Sequence, residues 1–214
     1  MKGSSARTRS SPAPEERGAV DPGEPAAIIL AGGGSRRMRR EKPLLPLNGR
    51  PLIETVIAQI RPCFRTILIS AGAGEKFAFL GLPVVEDEAP GQGPLLAILS
   101  ALRASACPTN FIMACDIPVI HVPFLEKILA LAPGYEIVVP RYRDGKFEPL
   151  FAAYARSIIP AIEKQVARGD RRISSLFQAC RTEFVPMDGE KWFRNLNTIE
   201  EYHDYLRSEK NKGS

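Results

Sequence analysis

A chain of 214 residues is long enough for one domain, with room for a small lobe. Its 44% hydrophobic and 25% charged residues suit a globular protein with a sizeable core. The 29 basic and 24 acidic residues leave a net charge of +5, which suits an anionic small molecule, and no aromatic-rich basic stripe supports nucleic-acid binding.

Residues 1–25 are rich in Ser, Pro, Gly and charge, lack an apolar signal-peptide core, and read as a disordered tail. Structure begins at Ala26, where "AAIIL" is a short apolar run that breaks at Gly32-Gly33-Gly34, as a buried parallel strand would. Four arginines and Lys42 follow in "SRRMRREK". "PLIETVIAQI" opens on a proline and spaces Leu52, Val56, Ile57 and Ile60 as a helix does. "RTILIS" and "LPVVED" read as a second and third strand, "GPLLAILSALRAS" as a helix, "TNFIMACD" as a fourth strand and "VPFLEKILALA" as a helix. Strands alternating with helices over short connections predict a three-layer α/β/α arrangement with a mostly parallel, twisted, Rossmann-like sheet.

After Pro133 the rhythm changes. "YEIVVPRYRDGKFEPLFAAY" reads as two β segments around a turn at Asp144-Gly145, followed by the helices "SIIPAIEKQVARG" and "RRISSLFQA" and the strand "RTEFVPM". "TIEEYHDYLRS" closes the chain as a helix, with Thr198 as N-cap and Glu201 three residues on. Residues 208–214 read as a loose tail.

The cysteines Cys63, Cys107, Cys115 and Cys180 show no metal-ligand spacing and read as reduced core residues of a cytoplasmic protein. With only His121 and His203 besides, a zinc site is not expected. No apolar run approaches the ~20 residues that span a membrane.

In an open parallel sheet, ligands bind beyond the carboxyl ends of the strands. The residues there are the glycine turn, Ser70, Asp87 and Asp116: backbone N–H groups for phosphate, a hydroxyl and two carboxylates on one rim. The dinucleotide fingerprint fails because Arg37 stands where its last glycine belongs, and the P-loop fails because Lys42 is followed by Pro43. A basic run of this kind is otherwise a solvated surface loop.

"LAGGGSRRMRREKPLLPLNGRPLIE" resembles the signature of the molybdenum-cofactor guanylyltransferases, L-A-G-G-x-S-x-R-M-G-x-D-K-x-L-L-x-x-x-G-x-P-L. Arg39 replaces the usual glycine and Glu41 the usual aspartate. The resemblance runs from Ala26 to about Leu206. "VVED" with "GPLLAILSAL" is similar to the family's E-D…G-P-L-A-G, with Ile98 taken as the position of its second glycine. "ACDIP", "EPLFAAY", "RGDRRISSLF" and "FRNLNTIEEY" resemble its remaining motifs, with Ile199 in place of a proline.

The resemblance implies one nucleotidyltransferase domain over 26–207, with an NTP-binding half (26–121) and a second-substrate half (122–207). It implies transfer of GMP from GTP to the terminal phosphate of molybdopterin, with Mg²⁺ as cofactor. Arg37, Lys42 and Asp116 would be catalytic, since two anions meet only if cations neutralise them. Leu30, Ala31, Gly32, Gly33, Lys42, Ser70, Asp87, Gly93, Pro94, Leu95 and Asp116 would bind the nucleotide, with asparagine common in relatives at the position of Ser70. Asp116 would hold the metal, joined by Asn197, because hard oxygens suit Mg²⁺. Asn195 and Asn197, pointing the same way in an extended segment, would reach metal or substrate phosphate, or else form the turn before Thr198. Glu148, Arg171, Arg172 and Asn195 would face the second substrate. The alternatives are a CTP-dependent enzyme, against which Gly32 speaks, a sugar-phosphate nucleotidyltransferase, and a non-catalytic nucleotide sensor on the same scaffold.

Overall fold

The computed structural model describes residues 23–32, 41–72, 74–187 and 192–212, with the side chains of the last three aside. Residues 1–22 of the tail read at 1–25, and the stretch 33–40 with Gly33, Arg37 and Arg39, lie outside the described residues.

Among the described residues nine strands form: β1 (Ala26–Leu30), β2 (Pro46–Leu47), β3 (Arg50–Pro51), β4 (Thr66–Ala71), β5 (Val84–Glu86), β6 (Thr109–Ala114), β7 (Ile137–Arg141), β8 (Phe151–Ala155) and β9 (Thr182–Pro186). Seven of them make one sheet in the order β5-β4-β1-β6-β8-β7-β9. Only β8 runs against its neighbours, pairing antiparallel with both β6 and β7. The β7–β8 pair is the expected two-segment arrangement around Asp144-Gly145.

The helices are α1 (Leu52–Ile60), α2 (Pro94–Ala104), α3 (Val122–Leu131), α4 (Ile159–Ala167), α5 (Leu176–Ala179) and α6 (Ile199–Lys212). Strand alternation divides the core into two layers. Ala27 and Ile29 of β1 face α1 and α3, where Ile53, Val56, Leu125 and Ile128 are buried. Ile28 and Leu30 face the other way onto Leu95, Ile98 and Leu99 of α2, with Ile162 of α4 and Leu176 of α5 beyond. The result is the three-layer arrangement expected. No helix among the described residues is long and apolar enough to cross a membrane.

A third cluster lies outside the main sheet. Leu45, Leu47 and Leu52 pack against Leu196, Tyr202 and Tyr205, fixing α6 to a two-stranded ribbon of β2 and β3. The ribbon turns at Asn48-Gly49, both at positive φ (51° and 81°), as the tightest hairpin turns require. The N-terminus of α6 has the predicted capping box: Glu201 N donates to Thr198 Oγ1 (3.2 Å), and Thr198 N donates to Glu201 Oε2 (3.0 Å). The helix runs to Lys212, into the stretch read from sequence as a loose tail.

Candidate active site

At the carboxyl ends of β1, β4, β5 and β6 lies a cavity of about 700 Å³. Leu30, Ala31, Gly32, Lys42, Asp87, Gly93, Pro94 and Asp116 line it, so eight of the expected nucleotide residues come together. Each arrives for a local reason. Asp116 sits in the turn just past β6, and Asp87 just past β5, where Asp87 N donates to Ala71 O (3.1 Å). Lys42 opens a short 3-10 turn, Lys42–Leu44, ahead of the β2–β3 ribbon. Gly93 caps α2 at φ 103°, a conformation that disfavours any side chain.

Ser70 and Leu95 are placed differently from the rest. The Ser70 residue is 2% exposed, and its carbonyl accepts from Ala31 N (2.8 Å) and Gly32 N (3.2 Å). Those two amides are therefore engaged with β4. Gly32 is also closely flanked: a Cβ there would stand 3.2 Å from Gly72 N. Leu95 is fully buried beneath α2. Ile98 is likewise buried and does not line the cavity, whereas Ala97 does. Counted from Gly93, the G-P-L-A-G register in fact places the second glycine at Ala97, which corrects the assignment to Ile98.

Lys42 Nζ and Asp116 Oδ2 meet at 3.2 Å across the cavity, 74 residues apart in sequence. Their side chains are only 19% and 16% exposed. Glu41, at the family's aspartate position, pairs with Lys76, and both line the cavity. Lys76 escaped the sequence reading, although it lies on the segment Gly74–Leu80 that follows the β4 strand end. One oxygen of Asp87 accepts from Ala89 N (3.0 Å). The adjacent Cys115 is no nucleophile: burial, with Asp116 adding to it, pushes its thiol up to about 12.

The segment Trp192–Asn197 does not line the cavity but packs behind the Asp116 turn. Trp192 stacks on His121 with ring centroids 5.0 Å apart, and Leu196 N donates to Asp116 O (2.9 Å). His121 in turn caps α3 through Nδ1, which accepts from Phe124 N (3.2 Å). Asn195 and Asn197 do not share an environment, contrary to the extended-segment expectation. Asn197 is exposed, and its backbone N–H joins the α6 cap by donating to Glu201 Oε2 (2.6 Å). Asn195 bonds Glu148, while its own Oδ1 is buried without a hydrogen-bond partner among the described residues. Glu148 also accepts from Tyr142, a residue with no motif to announce it. Burial raises the Glu148 carboxyl above its ordinary value, the two hydrogen bonds oppose this, and nearby Asp116 adds to it. No group of three or more His, Cys, Asp or Glu side chains suited to a metal occurs among the described residues.

A second cavity, of about 420 Å³, is lined by Lys146, Phe147, Pro149, Arg171, Arg172, Ile173 and Phe177, among others. Pro94 borders both cavities. Phe147 and Pro149 face the smaller one and Leu150 the larger, so the stretch 147–150 is a shared wall. The two arginines differ. Arg172 Nε and Nη2 both bond Asp170 at 3.0 Å, whereas Arg171 has no such tie among the described residues.

Residues 27–184 match the pattern of the MobA-like NTP transferase domain. The chain belongs to that family. It is 34% identical over 186 residues to a probable molybdenum cofactor guanylyltransferase of Carboxydothermus hydrogenoformans, covering 84% of this chain and 93% of the relative. The structure of molybdopterin-guanine dinucleotide biosynthesis protein A from Archaeoglobus fulgidus aligns with TM-score 0.73 at 24% identity, covering 87% of this chain and 99% of that one. Rv0371C of Mycobacterium tuberculosis, solved in complex with manganese, aligns with TM-score 0.62 at 21% identity, covering 86% and 99%. The family and the α/β nucleotidyltransferase fold are those expected from the sequence, and the protein is a nucleotidyltransferase.

Proposed function

We propose that the protein transfers GMP from GTP to the terminal phosphate of molybdopterin. The observation that carries this reading is the pairing of cavities across one wall, with Lys42 and Asp116 facing each other in the larger. GTP occupies the larger cavity, with Asp87 as acceptor for the guanine N–H groups and Gly93-Pro94 against the nucleoside. Molybdopterin occupies the smaller, where Arg171 meets its phosphate and Phe147 and Phe177 meet its ring. An oxygen of that phosphate attacks the α-phosphorus. A new P–O–P bond forms, the bond to the β-phosphate breaks, and pyrophosphate leaves.

Lys42, together with Arg37, neutralises the triphosphate, and the walls hold the reacting oxygens in line. Asp116 and the partnerless Asn195 Oδ1 are the hard oxygen donors that suit a divalent cation, and they fit Mg²⁺ better than exposed Asn197 does. When bound, the metal supplies charge neutralisation at the phosphates. The manganese complex of a structural neighbour and the guanylyltransferase name of the bacterial relative support this reading. The reaction belongs in the cytoplasm, where nucleotide triphosphates and reduced thiols prevail.

Incubating the protein with molybdopterin, Mg²⁺ and each nucleoside triphosphate, and following pyrophosphate, tests the assignment. Release is expected with GTP. Release with CTP alone would reverse the base assignment, and no release despite tight GTP binding would favour a sensor. Asp116→Ala is expected to slow turnover on the order of 100-fold or more, as loss of a key electrostatic stabiliser does.

A further inference from the structure

The Lys42–Asp116 pair has a consequence for the order in which ligands enter. Lys42 stands on the turn ahead of the ribbon and Asp116 on the opposite wall past β6, and their 3.2 Å contact spans the cavity between them. Both side chains are largely withdrawn from water, so salt screens their attraction weakly. A divalent cation arriving alone must displace the ammonium from Asp116 and strand Lys42 without a counter-charge. A nucleotide arriving alone gives Lys42 new oxygens but sets its own negative charge beside an uncovered Asp116, with the Glu148 carboxyl also nearby. Arriving together, metal and nucleotide satisfy both groups.

We infer that Lys42 is a place-holder for the divalent cation: its ammonium covers Asp116 until triphosphate oxygens draw it away, so the donor is taken up as the metal–nucleotide chelate. The inference rests on the metal role proposed for Asp116. Because coupling between two sites is reciprocal, Lys42 opposes free metal to the same degree that metal opposes the pair.

Manganese binding to the nucleotide-free protein, followed by electron paramagnetic resonance, separates the possibilities. Lys42→Met is expected to bind Mn²⁺ about 5-fold more tightly or better, the scale of ordinary coupling between sites. The same variant is expected to bind metal-free GTP at least about 10-fold more weakly, having lost a charged phosphate contact. Movement in opposite directions is the signature, since a pair serving only the fold would weaken both. Lys42→Gln, neutral and still able to donate to Asp116, is the second variant should Lys42→Met fold poorly. Unchanged or weaker Mn²⁺ affinity in the folded variants overturns the place-holder. Asp116→Asn is expected to remove Mn²⁺ binding in every background. If it does not, the metal assignment itself falls, and the two failures are told apart.

Discussion

Glu148 carries a charge that the fold resists. Burial, with nearby Asp116 adding to it, raises its carboxyl more than the hydrogen bonds from Tyr142 and Asn195 lower it. A carboxyl raised on folding stabilises the folded state below its unfolded value and loses that contribution as pH rises through its folded value. Glu148→Gln, which removes the ionisation, is therefore expected to melt above the parent at pH 8 and level with it near pH 4. An equal gap at both pH values would mean that packing, not charge, separates them. Sequence could nominate Glu148 but not this environment, because Tyr142 reaches it across the turn at Asp144-Gly145 and Asn195 from a distant part of the chain. Ser70 is the converse case. A strand end brings it to the rim, but it is covered by its neighbours and meets the glycine turn only through its carbonyl, which the strand-end rule does not foresee.

Among the elements, those with strong local periodicity were legible: the buried strands β1, β4 and β6, the amphipathic α1 and α2, and the capping box of α6. The β2–β3 ribbon was not read, although Asn48-Gly49 is the strongest short hairpin signal. Its strands of two residues each are too short to alternate visibly, and their purpose is the surface they offer to α6. Tyr202 is central to that docking, 4% exposed and donating its hydroxyl to Pro46 O. Tyr202→Ala is expected to cost about 3 kcal/mol, the scale of truncating a buried aromatic, read as a lower denaturant midpoint. A cost well under 1 kcal/mol would show that α6 rides loosely on the ribbon.

For the whole molecule, the one strand that runs against the main sheet sets the division of labour. β8 lies between β6 and β7, and the stretch leading into it, 147–150, parts the two cavities. Contacts on one side should therefore be separable from the other. Arg171→Ala is expected to raise KM for molybdopterin about 10-fold, as a lost charged hydrogen bond does, with KM for GTP within about twofold. Steady-state kinetics with each substrate varied in turn checks this, and equal rises in both would unite the cavities into one site. Arg172→Ala should act on the fold instead, through its tie to Asp170. Spacing along the chain treats the two arginines alike, and only the position of Asp170 tells them apart.

The return of the chain from β9 to Asp116 links the site to the order of synthesis. All seven strands of the main sheet are complete at Pro186, yet the contact from Leu196 to Asp116 and the α6 buttress lie downstream. A growing or clipped polypeptide ending before Leu196 holds every strand needed to close the sheet but lacks the bond that ties the Asp116 turn and the helix that braces the ribbon beside Lys42. The two residues that meet across the cavity are thus the last to be braced, and a truncated copy is left with the scaffold but without those ties.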